Sequence, residues 1–178
     1  GQIGDVRMVS ADFGFRANIN PTGRLWDLNL AGGALMDIGV YTVSFASMIL
    51  GMQPTDIAGG AQFGETGVDE QGAMVFGYGE EGRLALLSCA IRARTPHDAT
   101  IIGTEGYIRL PTFWSGTKAI IKKGNDEEVI EVPYDGNGYN CEAEEVARCV
   151  RAGEIESDKM THDETIAIMN TLDRIRSH

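Results

Sequence analysis

Cysteine is scarce in this chain. Its three residues, Cys89, Cys141 and Cys149, form no C-x-x-C pair and no even framework, so a disulfide scaffold is not expected and a reducing, cytoplasmic setting is the simple expectation. The histidines His97, His162 and His178 are scattered, with no H-E-x-x-H or His/Cys spacing, which speaks against a metal site. Positive charge is in deficit, with 15 Lys and Arg against 26 Asp and Glu for a net charge of −11. An acidic chain is a poor partner for nucleic acid or an anionic membrane surface. Much of that acidity follows Asn125 and reads as a solvated helical face. No apolar run is expected to reach the ~20 residues of a membrane span, and the N-terminus lacks the basic-then-apolar layout of a secretory leader. No G-x-G-x-x-G is placed to open a helix after a strand and no G-x-x-x-x-G-K-[ST] loop occurs, so the chain carries no nucleotide-phosphate cradle of its own.

What is present suits a globular fold. The 178 residues, 43% hydrophobic and 23% charged, are enough to bury a sizeable core in one domain, residues 1–178. Gly1 to Phe15 reads as an alternating strand that starts abruptly, as if continuing something longer. Arg16 to Leu30 is a loop with turn chemistry at Asn20-Pro21-Thr22-Gly23, and it sets Arg24 and Trp26 just before a helix. After Gly51 the pattern has period two, with strands near 55–63, 70–78, 83–93, 99–102, 106–110, 118–122 and 128–132. Gly79-Glu-Glu-Gly82, Gly103-Thr-Glu-Gly106 and Gly124-Asn-Asp126 supply tight connections. Short links force antiparallel pairing, so the expected fold is α+β: a large, open, mainly antiparallel sheet with helices on one face. Leu84 to Ile91 is apolar on both alternating sets and needs two covers. The helices supply one, and a second subunit packed on the sheet, making a homo-oligomer, is expected to supply the other.

Two helices close the chain. Tyr139 to Ala152 carries Val146, Cys149 and Val150 on one side and ends at Gly153; Cys141 and Cys149 read as small buried hydrophobes. The last helix opens with the capping pattern Thr161-His-Asp-Glu164 and turns Ile166, Met169, Leu172 and Ile175 toward a core.

The stretch Ala31 to Gly51 organises the rest. Leu35, Ile38, Thr42/Val43, Phe45/Ala46 and Ile49 recur at helical spacing, and Gly51 sits where a helix would stop. Two residues a core does not need, Asp37 and Tyr41, are four apart and share a face. Gly32 and Gly33 are expected to leave the first amides uncovered and able to face a ligand. Gly39, within the helix, costs about 1 kcal/mol relative to Ala, which implies that something passes close by. The spacing alone also admits a purely structural account. An Asp in a first turn gains ~0.3–1 kcal/mol from the dipole, and a Tyr on an amphipathic helix is ordinarily core. Arg24 and Trp26 are open to the same division, between surface packing and contact with a ligand.

Gly32-Gly33-Ala34-Leu35-Met36-Asp37-Ile38-Gly39-Val40-Tyr41 resembles the GG-x-x-x-D-x-G-x-[YH] signature of the C-terminal domain of the Gfo/Idh/MocA oxidoreductases. Gly1-Gln-Ile-Gly4, Gly103-Thr-Glu-Gly106 and the run from Cys141 to Ser157 resemble other segments of that domain in the same order, most like the dihydrodiol dehydrogenase and glucose–fructose oxidoreductase branch. The resemblance implies an absent N-terminal Rossmann domain that binds most of NAD or NADP and supplies a lysine. It implies Asp37 and Tyr41 as catalytic residues beside the nicotinamide, Gly32, Gly33 and Asp37 along the cofactor, and Arg24 and Trp26 against the substrate, a sugar, polyol or cyclic diol. A phenol with an ordinary pKa of about 10 is a poor base at neutral pH, so Tyr41 needs a nearby cation or must act as an acid. On this reading the isolated chain is inert. A non-catalytic assembly or sugar-binding module that keeps the fold is the alternative. A self-sufficient hydrolase with Asp37 as base lacks a visible nucleophile–base–orienter set.

Overall fold

The computed structural model describes residues 1–177; His178, the last of the scattered histidines, lies outside the described residues. Eight strands, β1 (Val6–Gly14), β2 (Asp56–Phe63), β3 (Asp69–Tyr78), β4 (Arg83–Ala90), β5 (Ala99–Gly103), β6 (Tyr107–Leu110), β7 (Lys118–Lys123) and β8 (Asp126–Glu131), form one open sheet. Their order is β2-β3-β4-β1-β5-β6-β7-β8. Neighbours in sequence pair antiparallel, as short turns require. Gly79 and Gly82 between β3 and β4, and Gly124 between β7 and β8, take φ of 58°, 64° and 57°. The exception is β1, parallel to β4 from Met8 opposite Leu84 to Gly14 opposite Ala90, and antiparallel to β5 on its other edge. The fold class is the expected one.

Three helices complete the chain: α1 (Val40–Leu50), α2 (Tyr139–Ala152) and α3 (His162–Arg176). Strand alternation decides what meets them. Val9, Ala11 and Phe13 of β1, Met74 and Phe76 of β3, and Ala85, Leu87 and Cys89 of β4 form the core with Val43, Ala46 and Leu50 of α1 and Ile168 and Leu172 of α3. Full burial of one such large aliphatic or aromatic side chain contributes about 1.5–3 kcal/mol. On the other set of alternating positions, Val75, Leu84, Leu86, Tyr107 and Val129 are exposed, Leu86 by 40%. The two apolar sets of β4 are therefore treated differently: helices cover one, and the other is open.

The helix ends follow their signals. Gly51 and Gly153 end α1 and α2 at positive φ. The Thr161 hydroxyl accepts the Glu164 N–H at 3.1 Å. Glu164 does not complete the reciprocal box; its carboxylate takes the Ser47 hydroxyl at 2.9 Å and fastens α3 to α1.

Four expectations need correction. The first strand starts at Val6, because Gly4 turns at φ 73°. In α2, Val146 and Val150 are exposed with Cys141, and only Cys149 is buried. That helix is held by a charge knot instead: the Glu145 carboxylate receives Arg148 at 2.8 Å, Lys159 at 2.8 Å and Ser157 at 2.6 Å, which holds its carboxyl well below the usual range. In α3, Ile166 and Met169 face outward while Ala167, Ile168, Thr171 and Leu172 face the sheet, a rotation of the buried stripe. Finally, Leu28–Leu50 is long and apolar enough to pass for a membrane span, yet most of it is buried against the sheet.

Burial pushes the Cys89 thiol up to about 12, with the Asp69 charge adding to the effect, and burial pushes the Tyr78 phenol up to about 12. A thiol reagent at pH 8 is expected to modify exposed Cys141 in the folded chain and to reach Cys89 only after unfolding; equal rates would contradict this packing. Both buried groups keep their protons after the unfolded chain, with ordinary values of 9.0 and 10.0, has given them up. The contribution of these two groups to stability is thus full below about pH 9 and should be lost progressively toward pH 12, which thermal melts across that range would read.

Candidate active site

The helix that carries Asp37 and Tyr41 begins irregularly. Leu35–Gly39 winds as a π-turn before α1 continues from Val40, an irregularity found often at functional sites. Its start is pressed onto the sheet. A Cβ on Gly39 would lie 3.1 Å from the Cys89 sulfur of β4 and 3.0 Å from a Leu35 methyl. What passes close to this glycine is therefore the protein's own strand.

The expectation of uncovered amides is corrected here. The Gly32 N–H donates to the Asp27 carbonyl and the Gly33 N–H to the Leu25 carbonyl, both at 2.9 Å. The Leu35 N–H donates to the Asp69 carboxylate at 2.7 Å. Asp69, the first residue of β3, thus caps the helix from the sheet, and the helix dipole is already answered by a carboxylate. Burial raises the Asp69 pKa, while backbone hydrogen bonds from Leu35, from Asp69 itself and from Ala34, together with the Arg176 charge, oppose the rise. Gly32 and Gly33 have packing roles. A Cβ on Gly32 would come within 2.8 Å of three carbonyl oxygens, and Gly33 combines φ 107° with direct contact on the Asp69 carboxylate.

Beyond that packed start, the site faces outward. Tyr41 is 42% exposed, so the phenol is not sealed in the core. Asp37 is half-buried and forms an ion pair with Arg24 from the preceding loop, so one of the two loop residues joins the helix pair. Trp26 does not. It is 3% exposed, packed in the core with the Arg92 guanidinium 5.8 Å above its ring. Its side chain anchors the loop from beneath, so of the two loop residues expected against substrate it is Arg24 that lies with Asp37.

The structure adds residues that the sequence left unremarked. The Phe13 ring meets Tyr41 edge-on at 5.3 Å and stacks on Trp114 at 5.3 Å, with 4° between the planes. His97 lies 4.8 Å from Phe13. Trp114 is 45% exposed and stands in the loop between β6 and β7, so an aromatic wall flanks the phenol. Phe13 was legible only as a core position of β1. The available signal for Trp114 was a large aromatic in a loop opened by Pro111, with no periodicity to bury it.

Burial raises the Tyr41 pKa above 10.0, and the nearby Tyr139, Glu142 and Asp37 raise it further. The phenol is therefore a proton donor at neutral pH in this chain. Among the described residues, no group of three or more His, Cys, Asp or Glu stands close enough to hold a metal ion. A cavity of about 420 Å³ is lined by Leu28, Gly32, Leu35, Gly59, Asp69 and Arg176, and neither Asp37 nor Tyr41 is among its lining residues.

The chain that carries this helix and sheet matches a known domain. The family model described as the GFO/IDH/MocA C-terminal domain matches residues 1–109, and the chain belongs to that family. Among its relatives are the trans-1,2-dihydrobenzene-1,2-diol dehydrogenases of Danio rerio, 36% identical over 183 residues, and Homo sapiens, 33% identical over 184. These alignments cover 98% and 99% of the chain but 54% of each relative, so the chain spans about half the length of the curated relatives it matches. Similar solved structures include a 3-ketoreductase from Actinomadura kijaniata in complex with NADP and TDP-benzene (TM-score 0.84, 19% identity, 99% of this chain and 55% of that one). An aldose-aldose oxidoreductase from Caulobacter crescentus complexed with glycerol gives TM-score 0.84 at 20% identity, over 99% and 54%. At such identities these two likenesses concern the fold.

Two measurements test the site's construction. The Tyr41 phenol, read as the ultraviolet difference between the chain and its Tyr41→Phe variant, is expected to titrate above pH 10, and Glu142→Gln should bring it down by removing a negative neighbour. Gly33→Ala is expected to lose roughly 1–3 kcal/mol in denaturant unfolding from backbone strain alone, with the collision on Asp69 in addition.

Proposed function

We propose that residues 1–178 form the C-terminal, substrate-binding and dimerisation domain of an NAD(P)-dependent oxidoreductase. The reaction is hydride transfer between the nicotinamide and a secondary alcohol or carbonyl of a sugar, polyol or cyclic diol. The observation that carries this reading is the outward pair Asp37 and Tyr41, walled by Phe13 and Trp114, in a chain of this family. The relatives named as dihydrodiol dehydrogenases, and the neighbours named as a 3-ketoreductase and an aldose-aldose oxidoreductase, support a hydroxyl or ketone as the reacting group.

The residues divide the work as their surroundings allow. Tyr41, with its pKa raised, donates its proton to the oxygen of a carbonyl undergoing reduction; for the reverse reaction a cation from outside this chain must favour the phenolate. Asp37, tethered by Arg24, borders the reacting centre. The aromatic wall offers a flat apolar face to a ring-shaped substrate. When bound, the nicotinamide carries the hydride. The residues here fit an edge of that cofactor but not its phosphates, because the helix amides able to hold an anion are taken by Asp69 and by loop carbonyls. A neighbouring Rossmann domain is thus the cofactor's main holder.

The test uses the protein with its upstream half, assayed with a panel of cyclic diols, polyols and aldoses and either nicotinamide cofactor. Tyr41→Phe is expected to cut turnover by roughly 10²–10⁴-fold, the usual worth of a positioned acid–base group; near-normal turnover removes Tyr41 from the mechanism. The exposed sheet face around Leu84 and Leu86 supports a dimer. Leu86→Glu is expected to convert dimer to monomer in sedimentation, and an unchanged mass would place the contact elsewhere.

A further inference from the structure

We propose that His97 is a specificity-determining positioning residue: its imidazole braces Trp114 against Phe13 and so sets the aromatic wall beside Tyr41. This rests on the reading that Tyr41 faces substrate. His97 sits at φ 65°, a left-handed conformation that a non-glycine residue keeps only when its surroundings impose it. They do so here. The Asp12 carboxylate of β1 accepts the His97 N–H at 2.8 Å and the Asp98 N–H at 3.3 Å, while the His97 carbonyl receives the Phe113 N–H at 3.1 Å. The loop that carries Trp114 is thereby tied to the backbone of His97.

The ring makes a second link. His97 Nε2 lies 2.6 Å from the Gly14 carbonyl oxygen. A carbonyl only accepts, so Nε2 bears the hydrogen, and in the neutral ring Nδ1 is left with its lone pair. That lone pair faces the Trp114 indole N–H, which only donates, at 3.5 Å. The indole bond is long and weak; its effect is directional. It selects one rotation of the Trp114 ring, the one that lies within 4° of the Phe13 plane. Gly14 follows Phe13 in β1, so one imidazole fixes both partners of the stack relative to each other.

The experiment reads the two indole N–H resonances of this chain, from Trp26 and Trp114, the latter assigned with Trp114→Phe. His97→Gln can still donate to Gly14 but lacks an acceptor at the Nδ1 position. His97→Asn suits the left-handed backbone and places an amide oxygen near Nδ1. We expect His97→Gln to shift the Trp114 indole signal and speed its hydrogen exchange several-fold while Trp26 stays in place, and His97→Asn to move both readings back toward the parent. A Trp114 signal unchanged in His97→Gln, or Trp26 and Trp114 displaced together, would overturn the brace. In the protein with its upstream half, His97→Gln should raise KM for a cyclic diol several-fold with a smaller effect on kcat; a displaced indole with unaltered KM overturns the specificity role. If the indole responds as expected but no dehydrogenase activity is found with any substrate in the panel, the brace stands and the oxidoreductase reading falls.

Discussion

The structure turns on how closely one helix start is pressed to one sheet. At Gly33 and Gly39 the helix has no side chain between its backbone and β3 or β4, and the Asp69 carboxylate reaches across to take the Leu35 N–H. Close approach without Cβ atoms gives the docking its precision, and the half-buried carboxylate makes the docking specific to one register, since a shifted helix would leave both a partly desolvated charge and a backbone amide unpaired. The π-turn lies within this clamp. Two residues past the capped amide comes Asp37, and one turn further Tyr41, so the two site residues take their directions from the clamp and not from solvent-facing chance.

Around that clamp, the site's polar and aromatic parts come from different layers. Arg24 arrives from a loop held underneath by Trp26, Phe13 from the middle strand of the sheet, and Trp114 from a loop beyond β6. A rigid scaffold with a loop-borne wall is the division expected where a site must be accurate near the chemistry and adaptable near the ligand. The Tyr41 phenol illustrates the electrostatic side of this incompleteness. Its charged neighbours of one sign, Glu142 and Asp37, all disfavour the phenolate, so the chain by itself prepares an acid.

Much of the fold was legible in the sequence because period two and glycine turns are local signals. Gly79, Gly82 and Gly124 marked connections that short loops can make in only one sense, and the strands followed. The Gfo/Idh/MocA resemblance carried by Gly32 to Tyr41 was borne out. What local patterning could not reveal was direction. Trp26 and Trp114 are chemically alike and both lie outside regular strands, yet one is core and the other open, because burial there depends on Arg92 and Phe13, distant in sequence. The amides of Gly32 and Gly33 looked free for the same reason: the groups that satisfy them and their neighbour Leu35 include Asp69, from another element. In α2 the apolar ridge pointed to burial, but Val146 and Val150 are exposed, and the helix is tied instead through Glu145 to Ser157 and Lys159 of the segment that follows it.

The place of β1 has a consequence for how the molecule is made. β2, β3 and β4 can assemble as one local meander and β5 to β8 as another, each from hairpins closed by short turns. The earliest strand in the chain lies between them, joined to Leu84 on one edge and Ile102 on the other through the same Met8. It is the seam of the sheet. Synthesised before the strands on either side of it, it must wait for both meanders before its edges are satisfied, and closing such distant contacts is the slow kind of step in folding. Until then Phe13 has no stack and His97 no carbonyl to hold, so the aromatic wall comes into being only when the seam is sewn.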